Sequence, residues 1–365
     1  MILHFYFARR FAMSILVITV VLFALVALVD LVDQTRKFGD FGISFAQILG
    51  LTLLNVPETI NQILPLIMIL ATVVLFVGLA RTSELVAARA AGRSALRTLI
   101  APVVVAVIIG GLAVTMLNPI VAGTSARYSQ LTESYRSGGA STLSISREGL
   151  WLRQGSETGQ TVIRAWRSNK DASVLYDVMF MEYAPGGNPV RRIGAESAAL
   201  EPGGWVLKNA KEWSLREGQN PEANAQVHER LEVPSTLTLE RIRESFGRPG
   251  SISIWELPDF IDQLDQAGFS SRQHRVWFQS ELARPLFLMS MVLVASAFTM
   301  RHTRFGGTGM AVLAAVLLGF SLYFIRSFAH ILGENGQLPI LLAAWAPPMA
   351  ALFLATGLLL SAEDG

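Results

Sequence analysis

Long apolar runs separated by short charged connections dominate both ends of this chain. Six of them, at 11–29, 61–80, 99–117, 282–300, 309–328 and 338–360, match the ~20 residues a helix needs to cross the ~30 Å apolar core of a bilayer. An earlier start for the second run, near Ile48, would put Pro57 and Pro65 inside it. Neighbouring helices can satisfy the backbone groups that such prolines free.

The stretch between the third and fourth runs, 118–275, follows another pattern. Short β-rich segments recur at 142–146, 150–153, 161–166, 174–183, 204–209 and 211–215, separated by turn clusters such as Pro185-Gly186-Gly187-Asn188-Pro189. Many short strands with such punctuation predict a sandwich, barrel or jelly roll. Beyond them, Ser253 and Glu256 make a capping-box pattern, Leu257, Phe260, Ile261 and Leu264 share a helical face, and Gly268 ends it. The expected organisation is an α-helical membrane protein with six transmembrane helices and an all-β domain inserted between helices three and four. Residues 1–118 hold the first three spans, 119–252 the β domain, 253–275 a connecting helix and linker, and 276–365 the last three spans.

Charge sets the orientation. Arg9, Arg10, Arg81, Arg89, Arg93, Arg97, Arg301 and Arg304 fall on one side, against Arg36, Lys37 and Arg326 in the opposite short loops. The excess of basic residues in cytoplasmic loops then predicts both termini inside and the β domain outside. The first run follows Arg9 and Arg10 without a small-residue cleavage motif, so it reads as an uncleaved span.

Composition agrees, at 52% hydrophobic and 16% charged. A formal charge of +2 with dispersed basic residues leaves no nucleic-acid footprint, and the absence of cysteine removes disulfides, thiolate ligands and thiol nucleophiles. There is no Gly-Lys pair, hence no phosphate-binding loop of the GxxxxGK[ST] type. HExxH and GxSxG are also missing, and the five histidines are scattered, so no catalytic or metal-ligating residue is nominated. Glu58, Glu281, Arg284 and Arg326 fall near the outer ends of spans and read as snorkelling groups, which leaves little for ion-coupled transport. The chain reads as the moving part of a machine whose fuel is consumed elsewhere.

One charged stretch, 81–94, lies between the second and third runs. Thr82 or Ser83 can cap a helix there, Glu84 suits its positive end and Gly92 can terminate it. It reads either as a plain polar loop or as a two-turn docking helix offering Leu85, Val86, Ala88 and Ala91 to a soluble partner.

These residues resemble the lipopolysaccharide-export permeases of the LptF/LptG family, the LptG branch in particular. The likeness is carried by Leu31-Val32-Asp33-Gln34-Thr35-Arg36-Lys37 after the first span and Val56-Pro57 at the second. It continues through Arg81-Thr82-Ser83-Glu84-Leu85-Val86 with Ala90-Ala91-Gly92, and Arg147-Glu148-Gly149-Leu150-Trp151 opening the β domain. The resemblance covers essentially the whole chain. It implies a non-catalytic permease subunit, without a cofactor of its own, that pairs with a second, LptF-like permease. ATP would be held by an LptB-like pair of cytoplasmic subunits. An LptC-like single-span adaptor and an LptA-like periplasmic bridge would complete the assembly, in the inner membrane of a Gram-negative bacterium. The β domain would be periplasmic and jelly-roll-like, passing lipopolysaccharide toward the outer membrane.

The same resemblance nominates residues. Glu84, Leu85, Val86, Ala88 and Arg89 would couple the chain to the ATP-binding subunits in a coupling helix at about 82–92, with Glu84 paired to a basic residue of the partner. Arg36, Lys37, Arg127 and Arg136 would meet the phosphorylated head group through charge-assisted hydrogen bonds. Relatives carry a further lysine where this chain has Asp30, six residues before Arg36. Other readings are a membrane-anchored receptor or scaffold, a permease for another lipid or lipoprotein, and a lipid-modifying membrane enzyme. Six spans exceed what an anchor needs, and the spans lack the acids, histidines and cysteines such an enzyme would use.

Overall fold

The computed structural model describes residues 2–39, 42–85, 90, 95–137, 141–146, 149–156, 159–169, 173–184, 187–215, 220–235, 238, 248–266, 269–300 and 308–364. The chain divides into two compact units. One comprises residues 1–128, 253–255 and 272–365, and the other residues 129–252 and 256–271.

The first unit is helical. Helix α1 (Ile2–Phe38) is one unbroken rod whose inward stripe is Phe7, Phe11 and Ile15 at i, i+4 spacing. Helix α2 (Phe45–Arg81) starts even earlier than Ile48. Its N-cap is a capping box, in which the Ser44 hydroxyl accepts from the Gln47 N–H while the Gln47 side chain accepts from the Ser44 N–H. Pro57 and Pro65 both lie inside it. Helix α3 (Ala95–Leu112) passes through a π-helical turn, Ala113–Leu117, into α4 (Asn118–Ser137). The indole Nε1 of Trp255 donates to the Thr115 carbonyl in that turn, at 3.2 Å. Such wider turns free carbonyls from the helical ladder.

Helices α6 (Arg272–Leu282) and α7 (Arg284–Thr299) form a pair bent by 49°. Pro285, which has no N–H to donate to the carbonyl four residues back, accounts for the bend. Helices α8 (Thr308–Glu334) and α9 (Ile340–Asp364) complete the unit. Among the described residues five helices are long and apolar enough to cross a membrane, and the bent pair, if taken as one span, brings them to six.

The bend holds a polar cluster that corrects the snorkelling expectation. Glu281 and Arg284 are 1% and 5% exposed, and they form an ion pair. Arg284 also donates to Asn61 of α2. Asn118 donates to Glu281 at 3.3 Å and accepts the Ile254 N–H at 2.9 Å. A proline-broken turn supplies backbone groups and space that a continuous helix would not, so two charges can be buried provided they are paired and hydrogen-bonded.

The second unit carries one seven-stranded antiparallel sheet in strand order β1 to β7. The strands are β1 (Ser141–Ser146), β2 (Gly149–Ser156), β3 (Gly159–Ser168), β4 (Val174–Tyr183), β5 (Pro189–Glu201), β6 (Gly204–Ser214) and β7 (Gln226–Pro234). Each neighbours the next in the chain, so the described strands connect as a meander. Alternation puts Leu150, Ile163, Phe180, Ile193 and Trp205 into one core, with the Phe180 and Trp205 rings edge to face at 6.2 Å. Leu264 of α5 (Leu257–Gln266) and Phe269 join that core. The segments expected at 204–209 and 211–215 are a single strand. Asn209 sits inside it at φ +50° and donates to Glu196 at 2.7 Å, a local irregularity that the pattern alone resolves as a break.

Candidate functional site

Two places on the helical unit hold some of the nominated residues. The first lies where α2 ends. Thr82 closes the helix, its N–H donating to the Gly78 carbonyl, and Ser83 turns the chain in the left-handed region at φ +58°. That turn presents Glu84 to the first turns of α1. Its Oε1 accepts from Arg10 Nη1 at 2.7 Å and from the Thr82 hydroxyl at 2.7 Å. Its Oε2 accepts from the Tyr6 hydroxyl at 2.7 Å and from Arg10 Nη1 at 2.9 Å. Arg10 donates to the Tyr6 hydroxyl as well, at 2.7 Å, so the cluster is closed on itself. Its hydrogen bonds, that from Arg10 first and then those from Thr82 and Tyr6, hold the Glu84 carboxyl down from 4.5 to about 2.

Of the other residues nominated around it, Leu85 is buried in the core of the helical unit. Val86, Ala88 and Arg89 lie outside the described residues, as do Ala91 and Gly92. Tyr6 and Arg10 were not nominated. Their one signal was an aromatic and a cation four residues apart on the first helix, and Arg10 counted only toward orientation.

The second place is the other end of α1. An open, largely apolar groove of about 610 Å³ runs along the helix, lined among others by Leu25, Val29, Asp30, Asp33, Arg36 and Thr59. Arg36 is exposed at its end. Lys37 is bridged to Asp33 one turn back, at 2.6 Å. Asp30 accepts from the Asn55 amide of α2 at 2.7 Å, and the wholly buried Gln34 donates to the Tyr128 hydroxyl of α4 at 2.8 Å. Asp30 thus lines the groove and is at the same time built into the packing between helices. Arg127 is exposed on α4, next to Tyr128. Arg136 sits near the end of the same helix, and its side chain lies outside the described residues. The groove therefore combines an apolar wall with two carboxylates and one guanidinium, a mixed rim rather than a purely cationic one. Among the described residues no three His, Cys, Asp or Glu are grouped to hold a metal.

Two comparisons bear on this arrangement. The chain is 23% identical over 343 residues to the lipopolysaccharide export system permease protein LptG of Haemophilus influenzae, an alignment covering 91% of this chain and 90% of that protein. The family model described as lipopolysaccharide export system permease LptF/LptG matches residues 5–361. With that match spanning nearly its whole length, and with its apolar helices and inserted β-sheet, the chain is a multi-pass inner-membrane protein that belongs to the LptF/LptG family of lipopolysaccharide export permeases.

Proposed function

We propose that this chain is the LptG-like half of an ATP-driven exporter that takes lipopolysaccharide from the inner membrane of a Gram-negative bacterium. The observation that carries this reading is the groove on α1, whose apolar wall suits acyl chains and whose end bears Arg36 for a phosphorylated head group. Both termini and Glu84 lie in the cytoplasm, and the β domain lies in the periplasm, where it passes the lipid on. A second, LptF-like permease closes the cavity, a pair of LptB-like subunits binds and hydrolyses ATP, and LptC-like and LptA-like proteins receive the cargo. The segment from Glu84 to Arg89 is the docking foot for the ATP-binding subunits. Arg36 and Lys37, with Arg127, form the head-group rim, Lys37 exchanging its Asp33 partner for phosphate.

Photocrosslinking amino acids at Arg36 and Lys37 test this in cells. Adducts with lipopolysaccharide that depend on ATP hydrolysis support the reading. Adducts confined to phospholipid, or to a lipoprotein, would sink it in favour of another cargo.

A further inference from the structure

The Glu84 carboxylate is filled by its own chain. Two carboxylate oxygens offer about four acceptor sites, and Arg10, Tyr6 and Thr82 occupy them. Bonds between ionised partners are the strong members of their class. Ser83 adopts a backbone region that a residue with a side chain enters only at a cost, and doing so returns the chain toward α1. Helix α1 is continuous from Ile2 to Phe38, a rod of roughly 55 Å at helical rise. Its buried residues Phe7, Phe11, Ile15, Gln34 and Phe38 form one stripe, and along it α1 packs on α2, so the rod runs unbroken from the Glu84 cluster to its far end. The groove with Asp30 and Arg36 lies at its far end.

We propose that Tyr6 and Arg10 are positioning residues that fasten the segment after α2 to α1, so that a displacement at Glu84 travels along α1 to the groove. Docking then moves a pre-formed Glu84–Arg10–Tyr6 cluster as one body, and α1 is the driven helix. This rests on the reading of Glu84 as part of the docking foot. It adds a route for the motion and two residues that carry it.

The test uses the full complex with its ATP-binding subunits in vesicles containing lipopolysaccharide, and reads lipid delivered per ATP hydrolysed. Arg10→Gln lowers that ratio about tenfold, the scale of one charge-assisted hydrogen bond. Arg10→Lys, which keeps the charge but not the planar fork, falls between. In a double-mutant cycle the Arg10→Gln/Glu84→Gln pair is no worse than the poorer single variant. Should Arg10→Gln fail to assemble, Tyr6→Phe lowers the ratio about threefold and decides in its place. An unchanged ratio in the assembled variants, or strictly additive losses in the cycle, overturns the proposal. A wild-type complex that delivers no lipid on ATP hydrolysis would instead overturn the functional reading beneath it.

Discussion

Helices α1 and α7 are both strongly apolar, yet the unit treats them in opposite ways. Twelve of the 16 residues of α7 are buried, whereas five of the 37 residues of α1 are. Leu16, Val20 and Leu28 of α1 are more than half exposed, while Phe287, Leu288 and Met291 of α7 show no exposed surface. Apolarity alone therefore does not place a membrane helix. In lipid there is no hydrophobic penalty for facing outward, so packing, small residues and polar contacts decide which helix becomes the centre. Here α7 has the Glu281–Arg284 pair at its start and Gly110 of α3 against Pro285, and α1 has a groove. The contrast places α7 at the centre of the helical unit and α1 at its edge, with most of its apolar surface uncovered by this chain.

The largest effect expected from breaking that centre is at Arg284. Arg284→Ala strands the buried Glu281 carboxylate, a loss on the order of 3–5 kcal/mol. It shows as a collapse of the folded fraction in detergent on heating, and replacing Glu281 by Leu in the same chain recovers most of it. An Arg284→Ala protein that melts like the wild type would remove the central support of α7 from the account.

A smaller effect sharpens the comparison at the α3–α7 contact. A Cβ on Gly110 would lie 2.5 Å from Pro285 Cα, whereas one on Gly111 meets nothing within 4 Å. Gly110→Ala should then cost about 1–3 kcal/mol by overpacking, and Gly111→Ala nothing or a slight gain in helix propensity. Thermal unfolding of the two neighbours reads the difference directly.

How much of this was legible in the sequence depends on how local each signal is. The long apolar runs were, because hydropathy needs no partner. Strand β5 was missed because Arg191, Arg192 and Glu196 interrupt its apolar face, and Gly194, which lies beside the Trp213 ring, reads as a break. Strand β7 was missed because His228, Arg230 and Glu232 interrupt its apolar alternation, although they pair with Glu212 and Glu201 or with each other on the sheet. Glu281 and Arg284 sit beside a proline at a run's edge, where snorkelling is the ordinary explanation. The Arg10–Glu84 contact joins residues 74 apart, and only the packing of α1 on α2 brings them together.

The smallest effect concerns pH. Glu84 is held at about 2 against 4.5 unperturbed, so its stabilising contribution is fully present above the unperturbed value and is lost as pH falls through the folded one. The cluster should therefore stay closed throughout the physiological range. Because the chain has no native cysteine, spin labels at Phe5→Cys and Arg81→Cys can follow it. Their distance should be flat from about pH 5 to 8 and widen only in strong acid. A widening near neutral pH would mean that the Glu84 cluster is not the latch described.

The most direct test of the contrast is site-specific photocrosslinking along both helices in living cells. Lipopolysaccharide adducts are expected at Val29 and Val32 of α1, rising and falling with ATP hydrolysis, and none at Met291 or Val294 of α7. Adducts at the α7 positions, or their absence from α1 in an active exporter, would contradict the contrast.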